Sequence, residues 1–426
     1  MMTYYTRLIF SVFLLVLACA FYKNVSYIEL YLLCLGFILF QLRRNNIYNV
    51  IMTLFLVVYF FIGLLNISTL RGNIENETLL VIIFYIFFII FPTWFLSVSK
   101  KSYDLKNYFL NSHGYLFIVC HIIFAYFTLL YVYASVGNIF LNQELRFYMP
   151  VWSGYVIRSI LVIPIVLTII DNKISKQYIG VKYLSILCYI PCFLIGSRGT
   201  LITFVLTQFL CIYLCNNNLK KHYISKLYDF SKLKMLLIGL IVFLVVVSGF
   251  YLRRYNSDTF ASPEELVSYY FDYEAFWIYI IMPFYFAFRE TIGITNTIII
   301  NDLKNSLSVP LFFADLFTLL PGNYNAAGQL LGDKIGRVGD GGLTPGIIGG
   351  LYIDFSYIGV LFVLLISFPL ALLYHRSYVS KKSAVLFSII LFQFIHLIHR
   401  GFLKPEYITF IICAGFYLFF INIKKV

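Results

Sequence analysis

Charge is scarce in this chain: only 12% of its 426 residues are Asp, Glu, Lys or Arg, against 61% hydrophobic and 20% aromatic. Together with a mean hydropathy of +0.87, that scarcity excludes a water-soluble protein. No part is long and polar enough for a soluble catalytic domain. The sequence also lacks HExxH, CxxC and any cluster of His with carboxylates at metal-ligand spacing, so neither a metal nor another cofactor is expected. The eight cysteines (Cys19, Cys34, Cys120, Cys188, Cys192, Cys211, Cys215 and Cys413) all fall in apolar segments, where a thiol behaves as a small hydrophobe. They imply no disulfide framework. Internal repeats, coiled coils and low-complexity tails are missing as well.

What is present is a series of apolar runs bounded by charged or Asn-rich breaks. They predict twelve membrane-spanning helices near 8–22, 27–42, 47–67, 79–98, 115–136, 155–170, 178–195, 200–215, 235–252, 357–374, 384–398 and 407–423. The first run follows Arg7 without a small-residue cleavage site, so it is expected to remain as a helix. The fold class is therefore an all-α polytopic membrane protein, with helices one to nine in 1–252, an external loop at 253–344 and helices ten to twelve in 345–426.

The net charge of +13 would suggest nucleic acid in a soluble protein, but here it is spread over short loops and reports orientation. With a cytoplasmic N-terminus, the inner face takes 19 of the 32 bases and three of the 19 acids, leaving 13 bases and 16 acids outside, so the faces carry +16 and −3. Both termini are expected to be cytoplasmic. The 92 residues of 253–344 hold ten acids and six bases, and an external loop that long is expected to fold and carry function. Its apolar stretches FWIYIIMPFYFAF (276–288) and VPLFFADLFTLLPG (309–322) are too short to span and read as interfacial or re-entrant helices, broken by Pro283, Pro310 and Pro321.

Charged groups at the external span ends are the candidate chemistry. GSRGT (196–200) holds Arg198 in a turn short enough to fix it at the membrane surface. Its guanidinium suits phosphate oxygens, although a snorkelling arginine fits the same pattern. Arg253 and Arg254 run against the orientation rule and call for an anionic partner, which Glu264 and Glu265 could also supply. IHLIHRGFLKPE (395–406) crowds His396, His399, Arg400, Lys404 and Glu406 into one turn, as a base or phosphate ligands, or as a solvated turn. Eight glycines between Gly332 and Gly350, beside Asp333, Arg337, Asp340 and Asp354, could wrap amides around a ligand or form a flexible loop.

The span count, GSRGT, the late external loop and TPGIIGGLYIDFSYIGVL together resemble the Wzy-type O-antigen and oligosaccharide repeat-unit polymerases. That family's P-G-x-x-G-E-x-Y-x-N-F-G pattern falls on Pro345, Gly346, Gly349, Gly350, Tyr352, Asp354, Phe355 and Ser356, with Gly350 in place of the acid, Asp354 of the amide and Ser356 of the last glycine. The resemblance implies a GT-C-like, metal-independent glycosyltransferase of the bacterial inner membrane. It would work at the outer face on undecaprenyl-diphosphate-linked oligosaccharide, with the lipid bilayer as its setting, no nucleic acid, and room for a chain-length regulator as partner. On that basis Arg198, Arg253, Arg254, Arg337 and Arg400 are expected to bind the diphosphate. Asp340, His396 and Asp354 are the candidate catalytic groups, and Arg289, Tyr352 and His399 are expected to line the substrate. O-antigen ligase is the alternative within the enzymes, and a lipid-linked oligosaccharide flippase the alternative of another class. Reporter fusions test the charge split: a fusion at Asn217 should be active only as a cytoplasmic reporter and one at Asn301 only as a periplasmic one. An external Asn217 would overturn the arrangement.

Overall fold

The computed structural model describes residues 4–42, 46–95, 107–140, 145, 148–170, 181–196, 198–216, 247–248, 250–251, 262–271, 275–319, 325–336 and 342–424. In chain order the elements are α1 (Tyr4–Phe21), α2 (Tyr27–Phe40), α3 (Ile47–Gly63), α4 (Asn76–Ile90), α5 (Pro92–Phe95), β1 (Asn107–Leu110), α6 (Ser112–Ser135), α7 (Val151–Ser159), α8 (Val162–Leu167), α9 (Val181–Leu194) and α10 (Arg198–Asn216). They continue with α11 (Pro263–Tyr270), α12 (Phe276–Ile300), α13 (Leu311–Phe317), α14 (Ala327–Ile335), α15 (Gly346–Phe355), a 3-10 turn (Ser356–Gly359), α16 (Val360–Ser377), α17 (Lys381–Arg400), α18 (Pro405–Phe419) and β2 (Ile421–Lys424). The protein is mostly helical. Among the described residues four helical stretches are long and apolar enough to cross a membrane: Asn76–Trp94, Ser112–Ser135, Gly346–Ser377 and Lys381–Arg400. Seven shorter apolar helices of 10–17 residues join them. These eleven overlie the apolar runs read from the sequence, except 235–252, which lies mostly outside the described residues.

The chain forms two compact units. The first comprises Met1–Ser97, Tyr223–Ala371 and Ile395–Leu403. Its helix ends are set by local chemistry. Ser26 and Glu29 form a reciprocal cap at the start of α2. Asn46 caps α3 by accepting from the Asn49 amide at 3.1 Å, and both asparagines reach buried Thr93 after α4. Apolar faces of α2, α3 and α4 pack around Leu56, Ile82, Ile86 and Ile89, all buried.

Helix α12 departs from the sequence reading. Pro283 lies inside it rather than breaking it, and the helix runs 25 residues to Ile300, past the apolar stretch that ends at Phe288. The loss of apolarity at Arg289 and Glu290 marks a change of environment instead of a helix end, because these side chains find partners. Pro310 does act as a boundary, immediately preceding the first residue of α13. Helix α12 passes from the C-terminal end of α3, where Ile292 and Phe288 cover Gly63, to the N-terminal end of α4, where Asn296 accepts from Thr78 at 2.6 Å.

Helix α15 packs on α12 and on the turn after α17 through close backbone approach. A Cβ on Gly350 would lie 2.1 Å from the Gly401 carbonyl oxygen, and one on Gly349 2.8 Å from Thr295 Oγ1. Gly346 (φ +63°) and Gly401 (φ +87°) are both left-handed, where a side chain would be strained. Of the glycines read as a candidate ligand cradle, Gly346, Gly349 and Gly350 face the protein's own atoms at close range.

The second unit comprises Val98–His222, Leu372–Phe394 and Lys404–Val426. The antiparallel pair β1 and β2 sets Asn107 opposite Lys424 and Leu110 opposite Ile421. His121 of α6 contacts Tyr417 of α18 and lies 3.0 Å from Ser159 Oγ at the end of α7. Arg158 pairs with Glu406 where both are largely buried, so Glu406 serves a structural ion pair. The glycine contact sets a stability test: Gly350→Ala should cost about 1–3 kcal/mol through overpacking. Gly415→Ala, with nothing within 4 Å of the added methyl, should leave thermal melting in detergent unchanged or raised. Equal melting of the two variants would refute the packing account.

Candidate functional site

The site begins with a face of α12. Tyr285, Arg289, Ile292 and Asn296 recur at spacings of four, three and four, which place them on one side of a helix. That side organises the whole connection from α3 to α4. Tyr285 donates to Leu65 O at 3.1 Å and lies 2.7 Å from Ser68 Oγ. Ile292 covers Gly63. Asn296 accepts from the Glu75 amide at 3.0 Å and donates to Asn73 O at 3.0 Å.

Arg289 is wholly buried. Its Nε donates to Leu70 O at 3.2 Å, Nη1 to Gly63 O at 3.3 Å, and Nη2 to Asn66 Oδ1 at 2.8 Å and to Gly72 O. Burial works against the charge, and four convergent acceptors offset that cost. The clamp grips the carbonyls on either side of Arg71, which itself has a left-handed φ of +62°. The turn is closed by the Gly72 amide donating to Thr69 O at 3.2 Å. It is tied to α11 by the Thr69 amide donating to Tyr270 O at 3.0 Å.

Arg71 therefore projects from a fixed turn. Its stem crosses Gly293, where a Cβ would come within 2.4 Å of the Arg71 Cβ, and its Nη2 lies 3.2 Å from Glu290 Oε1. The pair opens on a cleft of about 590 Å³ lined by Thr69, Leu70, Arg71, Tyr269, Tyr270, Phe286 and Glu290. The Tyr270 ring meets Phe286 edge-on at 4.8 Å and Tyr269 at 4.8 Å, leaving Tyr269 66% exposed. A cation, a carboxylate and the exposed Tyr269 ring thus share one cleft.

Residues singled out in the sequence are distributed differently. Arg289, expected to line substrate, is an internal clamp with no exposed surface. Asp354, a candidate catalytic group, accepts from the amides of Leu311 at 2.8 Å and Phe312 at 2.7 Å, one on each oxygen. It caps α13 because the first amides of a helix need an acceptor. Tyr352 is buried, with its ring 5.6 Å from Tyr357 and Lys304 Nζ 5.5 Å from its centroid. His396, His399 and Arg400 share the last turns of α17 in the first unit. The His399 ring lies against Tyr59 and Phe288, with Nδ1 3.5 Å from Thr291 Oγ1. His396 is half-buried and Arg400 exposed. Arg198 opens α10, but its side chain lies outside the described residues, as do Arg253, Arg254, Arg337 and Asp340.

Arg71, Glu290, Tyr269 and Tyr270 were not legible as a site. The polar spacing on α12 was the available signal, and it points to the partner segment only once the fold is known. The clamp predicts that Arg289→Lys, whose ammonium cannot span four spread acceptors, lowers stability by about 2 kcal/mol, read as a lower melting temperature in detergent. Unchanged melting would show that the clamp is dispensable. Compared with protein-family models, curated proteins and solved structures, the chain matches none.

Proposed function

We propose that this protein polymerises undecaprenyl-diphosphate-linked oligosaccharide repeat units at the outer face of the bacterial inner membrane. In this reading the twelve apolar segments cross the bilayer, both termini are cytoplasmic, and residues 253–344 form the external roof. The observation that carries it is the Arg71–Glu290 cleft, set by a turn at the end of an apolar helix where a lipid-borne diphosphate and its sugar would lie together. The resemblance of GSRGT and TPGIIGGLYIDFSYIGVL to the Wzy-type polymerases supports the same reading.

The chemistry follows from charge development. As the growing chain leaves its lipid carrier, negative charge grows on the diphosphate, and guanidinium groups fixed beforehand stabilise it without reorganisation. Arg71, held in its clamped turn, is assigned that task together with Arg198 and Arg400. The acceptor is the non-reducing end of the next repeat unit, whose hydroxyl must lose a proton to a nearby base.

A deletion strain tests the class. Loss of a polymerase leaves a single repeat unit exported and ligated, so one short band should replace the lipopolysaccharide ladder. An unsubstituted core with polymer retained on the lipid carrier would instead identify a ligase, and single units trapped on the cytoplasmic side a flippase. Arg198→Ala should abolish the ladder at normal membrane levels of protein, with Arg198→Lys rescuing poorly because it lacks the bidentate fork. A full ladder from Arg198→Ala would remove that residue from the mechanism.

A further inference from the structure

The Arg71–Glu290 pair is built in a way that a static salt bridge does not require. Left-handed backbone is strained for a residue with a Cβ, and Arg71 bears it beside an equally left-handed Gly72. The turn is held by the buried Arg289 on the carbonyls either side. Gly293 makes the room that the Arg71 stem fills. Backbone, clamp and glycine thus converge on presenting one guanidinium at one place. Yet the pair it makes is partly open, with side-chain exposures of 27% for Arg71 and 38% for Glu290, and an exposed pair contributes little to stability.

Resting on the polymerase reading, we infer that Glu290 is the general base for the acceptor hydroxyl and that Arg71 latches it until the donor's diphosphate takes the guanidinium. A diphosphate offers more charge and a bidentate match to the fork, so it displaces the one carboxylate oxygen that Arg71 meets. Once the cation turns to the diphosphate, the carboxylate is released from its 3.2 Å contact with the guanidinium and can turn to the acceptor hydroxyl. The carboxylate is thereby freed for the acceptor only when a donor is bound. Tyr269, exposed at the lining of the cleft, offers a ring on which a sugar can lie beside the pair.

In the transfer step the acceptor hydroxyl oxygen forms a bond to the anomeric carbon of the donor sugar. Its proton passes to a Glu290 carboxylate oxygen. The bond from that carbon to the diphosphate oxygen breaks, and the electron pair stays on the diphosphate, whose added charge Arg71 holds. The proton then leaves Glu290 for water. The products are one new glycosidic bond and free lipid diphosphate, with no change of oxidation state.

The test uses the full-length protein in nanodiscs and two readouts: binding of farnesyl diphosphate, and polymer formed from lipid-linked repeat units. Arg71→Gln should weaken farnesyl diphosphate binding at least tenfold. Glu290→Gln should bind it as tightly as the unmodified protein or several-fold tighter, while kcat for polymer falls at least about 100-fold and KM changes less than about threefold. Glu290→Asp should keep measurable turnover. The latch is overturned if Glu290→Gln retains near-normal turnover, or if Arg71→Gln binds farnesyl diphosphate normally. A Glu290→Gln protein that melts early and loses binding and turnover together would also overturn it, marking a merely structural pair. If the unmodified protein binds farnesyl diphosphate through Arg71 but forms no polymer, the polymerase reading fails and the base role with it, while the Arg71 assignment stands.

Discussion

A buried arginine without a carboxylate partner among its hydrogen bonds is a costly element, and the first unit is organised around one. Arg289 joins the end of α3, the turn at residues 69–72 and α12 through carbonyl oxygens and Asn66. Those acceptors are left over where a helix has ended and a tight turn has begun, so the guanidinium satisfies groups that an apolar neighbour would strand. The arrangement is reciprocal: the charge needs the acceptors as much as they need the donors. Removing either side leaves buried polar groups unpaired, which costs more than the net worth of the bonds themselves.

From that clamp follows a cleft in which a cation, a carboxylate and the exposed Tyr269 ring lie together. Arg289 holds the turn, the turn carries Arg71, Gly293 admits its stem, and Glu290 meets it one residue along the same helix. Arg289 is thus a positioning residue, and its influence on chemistry would pass through Arg71.

The apolar segments were legible because hydropathy and helix length are properties of short windows of sequence. Helix starts at Ser26 and Asn46, where the runs 27–42 and 47–67 begin, were similarly local, each with its capping chemistry within three residues. What could not be read were the pairings across long separations. Asp354 looked titratable and available, yet it binds amides some forty residues earlier. The glycines after residue 345 looked open, yet Gly401 fills the space over Gly350. Arg71 and Glu290 are separated by 219 positions, and neither carries a motif. Pro283 misled for a different reason: a proline within a helix is tolerated where neighbouring packing holds the helix together, and α12 is packed along most of its length.

The proposed activity rests on fixed arginines doing, at a membrane surface, the charge stabilisation that other glycosyl transfers assign to a metal. The most direct measurement is polymer formation by the purified protein supplied only with lipid-linked repeat units, in EDTA and without any nucleotide sugar. The account predicts chains of many repeats and stoichiometric release of lipid diphosphate. A strict requirement for a divalent metal or a nucleotide sugar would contradict it.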